Sequence, residues 1–258
     1  MKPKTLTILL ASAVFLTCSC AYTDAQEEAS HTDNAGQFTA GTYNILWNGY
    51  KGNAWEIRRE LVAQLLKEGD VFGLQECGYE QYMYLADKLK DSHVSCGFPV
   101  RESDWGKEPP VTLKENRLPV KQGINEAIFF NKHKFRKLSE GDLWISDTPE
   151  TRRDSWGPNI NWVTLQDKTT GLKFRFYNTH FWKGSQNAAK RAKGINVIKR
   201  HATSSEDSLP FIFTADTNAI DESKPESSYH YAVNGASAAR EPFYKNIHTP
   251  WGTFNTGA

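Results

Sequence analysis

The sequence predicts an α/β fold in which two sheets pack face to face with helices outside them. Three features carry that expectation. Apolar runs close on polar clusters at four distant places, T-Y-N at 42–44, L-Q-E at 74–76, N-T-H at 178–180 and A-D-T-N at 215–218, and short runs of this kind read as buried strands. Segments of helical spacing lie between them. Consecutive strands are joined by hairpin signals, of which Thr169-Thr170-Gly171 is the clearest.

The elements follow in order. Residues 1–19 carry Lys2 and Lys4 ahead of an apolar stretch from Leu6 to Leu16, the layout of an export signal and too short to span a bilayer. Thr17-Cys18-Ser19-Cys20 resembles a bacterial lipoprotein cleavage box with Cys20 as the acylated residue, and ordinary cleavage after Ala21 is the alternative. Either form predicts a periplasmic or cell-surface protein, with acylation adding a lipid anchor to a soluble domain. Residues 20–36 are rich in Ala, Ser, Asp and Glu without a hydrophobic period and read as a flexible tether, and 37–258 read as one domain without internal repeats. Within it 37–46 is a strand. Ile57, Leu61, Val62, Leu65 and Leu66 recur at helical spacing, which gives a helix over 54–67 ended by Gly69, then a strand over 71–75 and a helix over 79–89. Pro, Gly and charged residues fill 97–123, a long surface loop and candidate substrate lid. Strands follow at 124–131, 138–146, 162–166, 172–178 and 211–214. A helix near 187–202 has Ala188, Ala192, Ile195 and Ile198 as its buried stripe and Lys190, Arg191, Lys193, Lys199 and Arg200 as its solvated side.

Composition bounds the partners. Cleavage before Cys20 leaves 239 of the 258 residues, which suits one α/β domain, and takes the formal charge from +1 to −1. That balance argues against binding that neutralises many phosphates. The expected partner is a small phosphoester, nucleotide or lipid headgroup ahead of long nucleic acid, and the expected state is a monomer. Cys77 and Cys96 remain in the mature chain, where export permits a disulfide; Cys77 also reads as a buried thiol beside Glu76. There is no paired-cysteine spacing, which excludes a zinc finger.

The four polar clusters share a chemistry. Polar groups at strand ends of an α/β fold line a common cleft. Glu76 offers hard oxygens to Mg²⁺, which takes only one or two carboxylates from protein, and Asn44 adds a neutral amide. Asp216 is placed to accept a proton from an attacking water, while Asn218 and His180 donate to phosphoryl oxygens. Each residue also has an ordinary use: Glu76 as a helix cap, Asn44 and His180 as hydrogen-bonded strand ends, Asp216 with Asn218 as a turn. Their order is what points to a metal-dependent phosphodiesterase.

On these residues the chain resembles the endonuclease/exonuclease/phosphatase family, the DNase I-like proteins. The likeness runs from about Gln37 to Ala258 and includes T-Y-N-I-L-W (42–47), W-E-I-R-R-E-L-V (55–62), D-V-F-G-L-Q-E (70–76), A-I-F-F-N-K-H-K-F (127–135), L-W-I-S-D-T-P-E (143–150) and F-Y-N-T-H (176–180). The resemblance implies a four-layer α/β/β/α sandwich and a phosphoester hydrolase dependent on Mg²⁺ or Mn²⁺. It assigns metal binding to Asn44 and Glu76, a phosphate contact to His180, and water orientation and transition-state stabilisation to Asp216 and Asn218. Glu126 lies a residue or two from the position of a family acid and receives no role. Ala215 stands where relatives carry glycine, which a negative φ would accommodate. Phe181 and Trp182 replace a Leu-Asp pair, and an arginine is missing before Trp162. P-W-G-T-F-N-T-G-A (250–258) resembles a segment that relatives follow with two further strands bearing Arg-Ile-Asp and Ser-Asp-His strings, neither of which occurs here. The expectation is a fold incomplete at its C-terminus, with an exposed sheet edge and lowered or lost activity. The competing expectation is a non-catalytic module that holds a phosphorylated or glycan ligand.

Overall fold

The structure, a computed structural model, describes residues 6–10, 16–18, 37–52, 54–100, 105–107, 121, 123–151, 157–204 and 209–218. The tether over 20–36, most of the expected lid and the segment 250–258 lie outside the described residues.

Aromatic and β-branched runs build the strands, and punctuation by glycine and polar residues ends them. In chain order these are β1 (Leu6–Leu10), β2 (Leu16–Cys18), β3 (Phe38–Asn44), helix α1 (Trp55–Lys67), β4 (Val71–Gln75), β5 (Cys77–Gly78), α2 (Tyr79–Leu89), β6 (His93–Cys96), β7 (Ile124–Asn125) and β8 (Ile128–Asn131). Then come β9 (Phe135–Trp144), β10 (Asn159–Asp167), β11 (Lys173–His180), a 3₁₀ turn (Ser185–Asn187), α3 (Ala188–Ser204) and β12 (Phe211–Asp216). One sheet has the order β1-β12-β11-β10-β9, the other β2-β3-β4-β8-β6, and β5 pairs with β7. β3 with β4 and β11 with β12 are parallel pairs, so their C-terminal ends emerge together. The edges of β12 and β3 carry β1 and β2, two pieces of the segment read as an export signal.

Three apolar clusters define four layers. Phe38, Val71, Ile128, Phe130, Val163, Phe174, Phe176 and Ile212 fill the space between the sheets. α1 and α2 cover the outer face of one sheet through Trp55, Val62, Leu66, Leu85 and Leu89 on Phe72, Leu74 and Phe129. α3 covers the other through Ile195, Ile198 and Ala202 on Tyr177, Phe181 and Phe213. The expected α/β/β/α sandwich is therefore present.

Some local readings change. The single strand expected over 124–131 is interrupted at Glu126 and Ala127, because β7 pairs with β5 whereas β8 pairs with β4. Ile57 and Leu61 face solvent, since the buried side of α1 is Trp55, Val62, Ala63 and Leu66. Arg191 is buried, where its Nη1 donates to the carbonyl oxygens of Trp182 (2.9 Å) and Gly184 (2.7 Å). Cys77 and Cys96 are both free and buried, one beneath the helices and the other between the sheets. Burial raises both thiols well above their ordinary range, and Glu126 adds to the effect at Cys77.

Between the apolar inter-sheet layer and the strand ends lies a buried polar layer. Gln75 Nε2 donates to Thr42 Oγ1 (2.9 Å) and, across the sandwich, to Asn178 Oδ1 (2.6 Å). Asn178 Nδ2 donates back to the carbonyl oxygens of Leu74 (2.8 Å) and Ala127 (3.1 Å), and Thr214 Oγ1 donates to Asn178 Oδ1 (3.1 Å). Thr42, Gln75, Asn178 and Thr214 are each 0% exposed, so every one of these bonds replaces water. Gly73 lets the sheets come this close: a Cβ there would collide with Thr214 Oγ1 and the Asn178 amide.

Substituting Asn178 by Leu strands the Leu74 carbonyl, removes the acceptor that Gln75 Nε2 and Thr214 Oγ1 share, and should destabilise the fold by about 3–5 kcal/mol, with Gly73→Ala also strongly destabilising. Urea unfolding checks both, and a midpoint within error of wild type for Asn178→Leu would show that the layer holds nothing together. A pH effect follows from His201, whose Nδ1 lies 2.8 Å from the Tyr177 hydroxyl and whose ring packs on Trp162. Burial, then the Arg175 charge, lowers its pKa to about 4, while the unfolded imidazole takes up a proton near 6.5. His93 is lowered in the same sense by burial. The stabilisation is complete above about pH 6.5 and is lost as the pH falls toward 4. Thermal unfolding from pH 7 to 4 should show a falling Tm, with a shallower fall in His201→Gln.

Candidate metal and phosphate site

Two residues beyond the polar layer, the same strand faces present the candidate site. Thr42 leads to Asn44, Asn178 to His180 and Thr214 to Asp216, each a step of two along a strand and so on the same face. β4 ends at Gln75, and Glu76 turns away with φ of 55°. His180 and Asp216 are register partners across the parallel pair β11 and β12.

Asn44 is the hub. Its Nδ2 donates to Glu76 Oε1 (3.1 Å) and to Asp216 Oδ2 (2.9 Å), so one amide group spans two carboxylates that arrive from opposite sheets. Its Oδ1 accepts from the backbone N–H of Leu46 (3.0 Å). Glu76 does not cap α2: its second oxygen accepts the backbone N–H of Trp47 (3.2 Å). Asp216 Oδ1 accepts the backbone N–H of Asn218 (3.0 Å), and its Oδ2 lies 3.5 Å from His180 Nε2. The Asn218 amide donates to the Phe181 carbonyl oxygen (2.8 Å), which orients it with Nδ2 toward His180 Nε2 (2.7 Å). All five residues singled out in the sequence thus meet in one place.

The backbone around them is held under strain. Leu46, Glu76 and Asn218 are the non-glycine residues of positive φ among the described residues, at 56°, 55° and 46°. Each such conformation costs about 1–2 kcal/mol, and the surroundings must fix it. Gln81, fully buried on α2, donates to the Leu46 carbonyl oxygen (3.0 Å) and accepts from the N–H groups of Asn48 (3.1 Å) and Gly78 (3.0 Å). Arg58 Nη1 from α1 donates to the Ile45 carbonyl oxygen (3.0 Å). Ala215 has none of this strain. It sits in β12 with negative φ, so the methyl that replaces the family glycine is accommodated as core.

One acid was left without a role by the sequence. Glu126, in the gap between β7 and β8, is 3% exposed. Burial first, and then the charges of Glu76 and Asp216, push its carboxyl well above the usual carboxylate range. The signal that finds it is an acid inside the apolar run I-N-E-A-I-F-F. Beside the site, Trp182 is half-buried with Lys190 Nζ 5.3 Å from its ring centroid.

Among the described residues no three His, Cys, Asp or Glu side chains are grouped so as to hold a metal ion by themselves. The donor chemistry nevertheless fits a hard divalent cation, which needs few protein ligands: Glu76 and Asp216 bring carboxylate oxygens to one point, and the Asn44 amide between them would offer its oxygen by turning over. The Oε2 atom of Glu126 is buried without a hydrogen-bond partner, as expected near an ion and its waters.

No protein-family model and no curated protein matches the chain. Solved structures do. An endonuclease/exonuclease/phosphatase family protein from Bacteroides thetaiotaomicron is 24% identical, with a TM-score of 0.61 over 77% of this chain and 68% of that one. A mannosyl-6-phosphatase from Bacteroides thetaiotaomicron VPI-5482 is also 24% identical, with a TM-score of 0.61 over 77% of this chain and 70% of that one. The human Nocturnin catalytic domain with a bound sulfate is 19% identical, with a TM-score of 0.57 over 75% and 68%. This chain has the DNase I-like fold of the endonuclease/exonuclease/phosphatase proteins.

Proposed function

We propose that the chain is an exported phosphoester hydrolase of the endonuclease/exonuclease/phosphatase family, dependent on Mg²⁺ or Mn²⁺. The observation that carries this is the convergence of Asn44, Glu76, His180, Asp216 and Asn218 from four strand ends onto one hydrogen-bonded cluster. Glu76 and Asn44 would hold the cation. When bound, it supplies positive charge to the phosphoryl oxygens. Asp216, fixed by Asn44 and by the Asn218 N–H, would orient the attacking water and take its proton. On substrate binding Asn218 Nδ2 would turn from His180 Nε2 to a phosphoryl oxygen and His180 would donate to another, as negative charge builds on the group. Water then forms one P–O bond as the ester P–O bond breaks.

Near-neutral charge supports a small phosphoester, nucleotide or lipid headgroup over long nucleic acid. The half-buried Trp182 under Lys190 offers an aromatic wall for a sugar or base. One structural neighbour is described as a mannosyl-6-phosphatase, so mannose 6-phosphate belongs in the substrate panel. Export would proceed through residues 1–19, with lipid on Cys20, and cleavage there would remove β1 and β2.

Hydrolysis of bis(p-nitrophenyl) phosphate with Mg²⁺, compared with EDTA, checks the chemistry. Glu76→Ala and His180→Ala should each lower the rate about 10²- to 10⁴-fold. Equal background from wild type and both variants would remove the enzyme reading, and retained Mn²⁺ binding would then make the chain a non-catalytic binding module. For the anchor, labelled palmitate should enter the wild type expressed in a bacterium and fail to enter Cys20→Ala; an unlabelled wild type counts against acylation.

A further inference from the structure

Glu126 is placed too carefully to be an incidental core acid. The Asn161 amide donates to its own carbonyl oxygen (3.0 Å), while the backbone N–H of Leu74 (2.8 Å) and Asn178 Nδ2 (3.1 Å) both donate to the next carbonyl oxygen, that of Ala127. Both sheets therefore fix the backbone on either side of its side chain. The Glu76 and Asp216 carboxylates are the charged neighbours that act on its carboxyl group. Its Oε2 is buried without a partner, and among the described residues Glu126 has no ion-pair partner. An unpaired buried carboxylate oxygen is costly, and such an atom beside two other acids needs a donor from outside the chain.

We infer that Glu126 is a positioning carboxylate of the cation site, which accepts, on the free oxygen, a hydrogen from water bound to the divalent cation. This rests on the metal-dependent reading proposed above. Outer-shell acceptors of this kind orient the direct ligand and strengthen metal binding, and their loss typically weakens affinity about 10- to 100-fold. Glu126 does not touch the phosphoester. It acts through the cation's water.

The test is Mn²⁺ titration calorimetry on the full chain, paired with thermal unfolding in EDTA. Glu126→Gln keeps the size of the side chain and one of its oxygens but puts a donor where the free oxygen stands. The expected result is an EDTA Tm no lower than wild type with the Mn²⁺ Kd raised about 10- to 100-fold. An unchanged Kd overturns the inference, as does a Tm loss in EDTA that accounts for the weaker binding. If the Gln variant does not fold, Glu126→Asp keeps the carboxylate but draws it back by one methylene, and it should also weaken Mn²⁺; full affinity there is equally contrary. Wild type that fails to bind Mn²⁺ overturns the metal reading as well, whereas wild type that binds alongside an unaffected variant overturns this inference alone.

Discussion

The pairing of Gln75 with Asn178 across the two sheets is the constraint on which the rest of the structure depends. Along three strands the inner face passes from apolar to buried polar to reactive, Ala40, Thr42, Asn44 on β3, Phe176, Asn178, His180 on β11 and Ile212, Thr214, Asp216 on β12, while β4 runs Val71, Gly73, Gln75 and reaches the polar layer at its last residue. The apolar layer drives the sheets together without specifying how they slide. The polar layer does specify it, because a hydrogen bond tolerates far less displacement than an apolar contact. With four side chains locked in one plane, the next residue on each face cannot avoid the others.

That arrangement explains why the site can hold groups that repel one another. Glu76 and Asp216 are brought from opposite sheets to the same Asn44 amide, with Glu126 buried behind them. Left-handed backbone at Leu46, Glu76 and Asn218 adds further cost. A site of this kind is a local instability sustained by its surroundings, and stability given up at a reactive centre is the usual relation between fold and function. Gln81 and Arg58 show where the surroundings do this, since both spend their donors on the strained loop rather than on solvent.

Much of this was legible in the sequence. β4 and α2 start directly after Gly69-Asp70 and Gly78, and the Thr169-Thr170-Gly171 turn joins β10 to β11 as an antiparallel pair. The five site residues were legible because strand ends concentrate polar side chains at a shared edge. What was hidden depends on partners remote in sequence. Nothing in the run containing Arg191 announces two waiting carbonyl oxygens, and nothing near Glu126 says that β7 leaves for β5 and exposes a gap in the ladder. Gln81 carries no sequence signal of its own on α2, yet it bonds to a loop more than thirty residues earlier. The readings over 20–36 and 250–258 fall outside the described residues.

Fold likeness at 24% identity carries architecture and leaves chemistry to the side chains. The central claim is that five of them surround one divalent ion. Diffraction from Mn²⁺-soaked crystals at the manganese absorption edge tests it most directly. The account predicts one strong anomalous peak at about 2.1–2.2 Å from a Glu76 carboxylate oxygen, beside Asn44 and facing His180 and Asp216. A peak bound elsewhere on the molecule, with none at Glu76 in the presence of millimolar Mn²⁺, would contradict it.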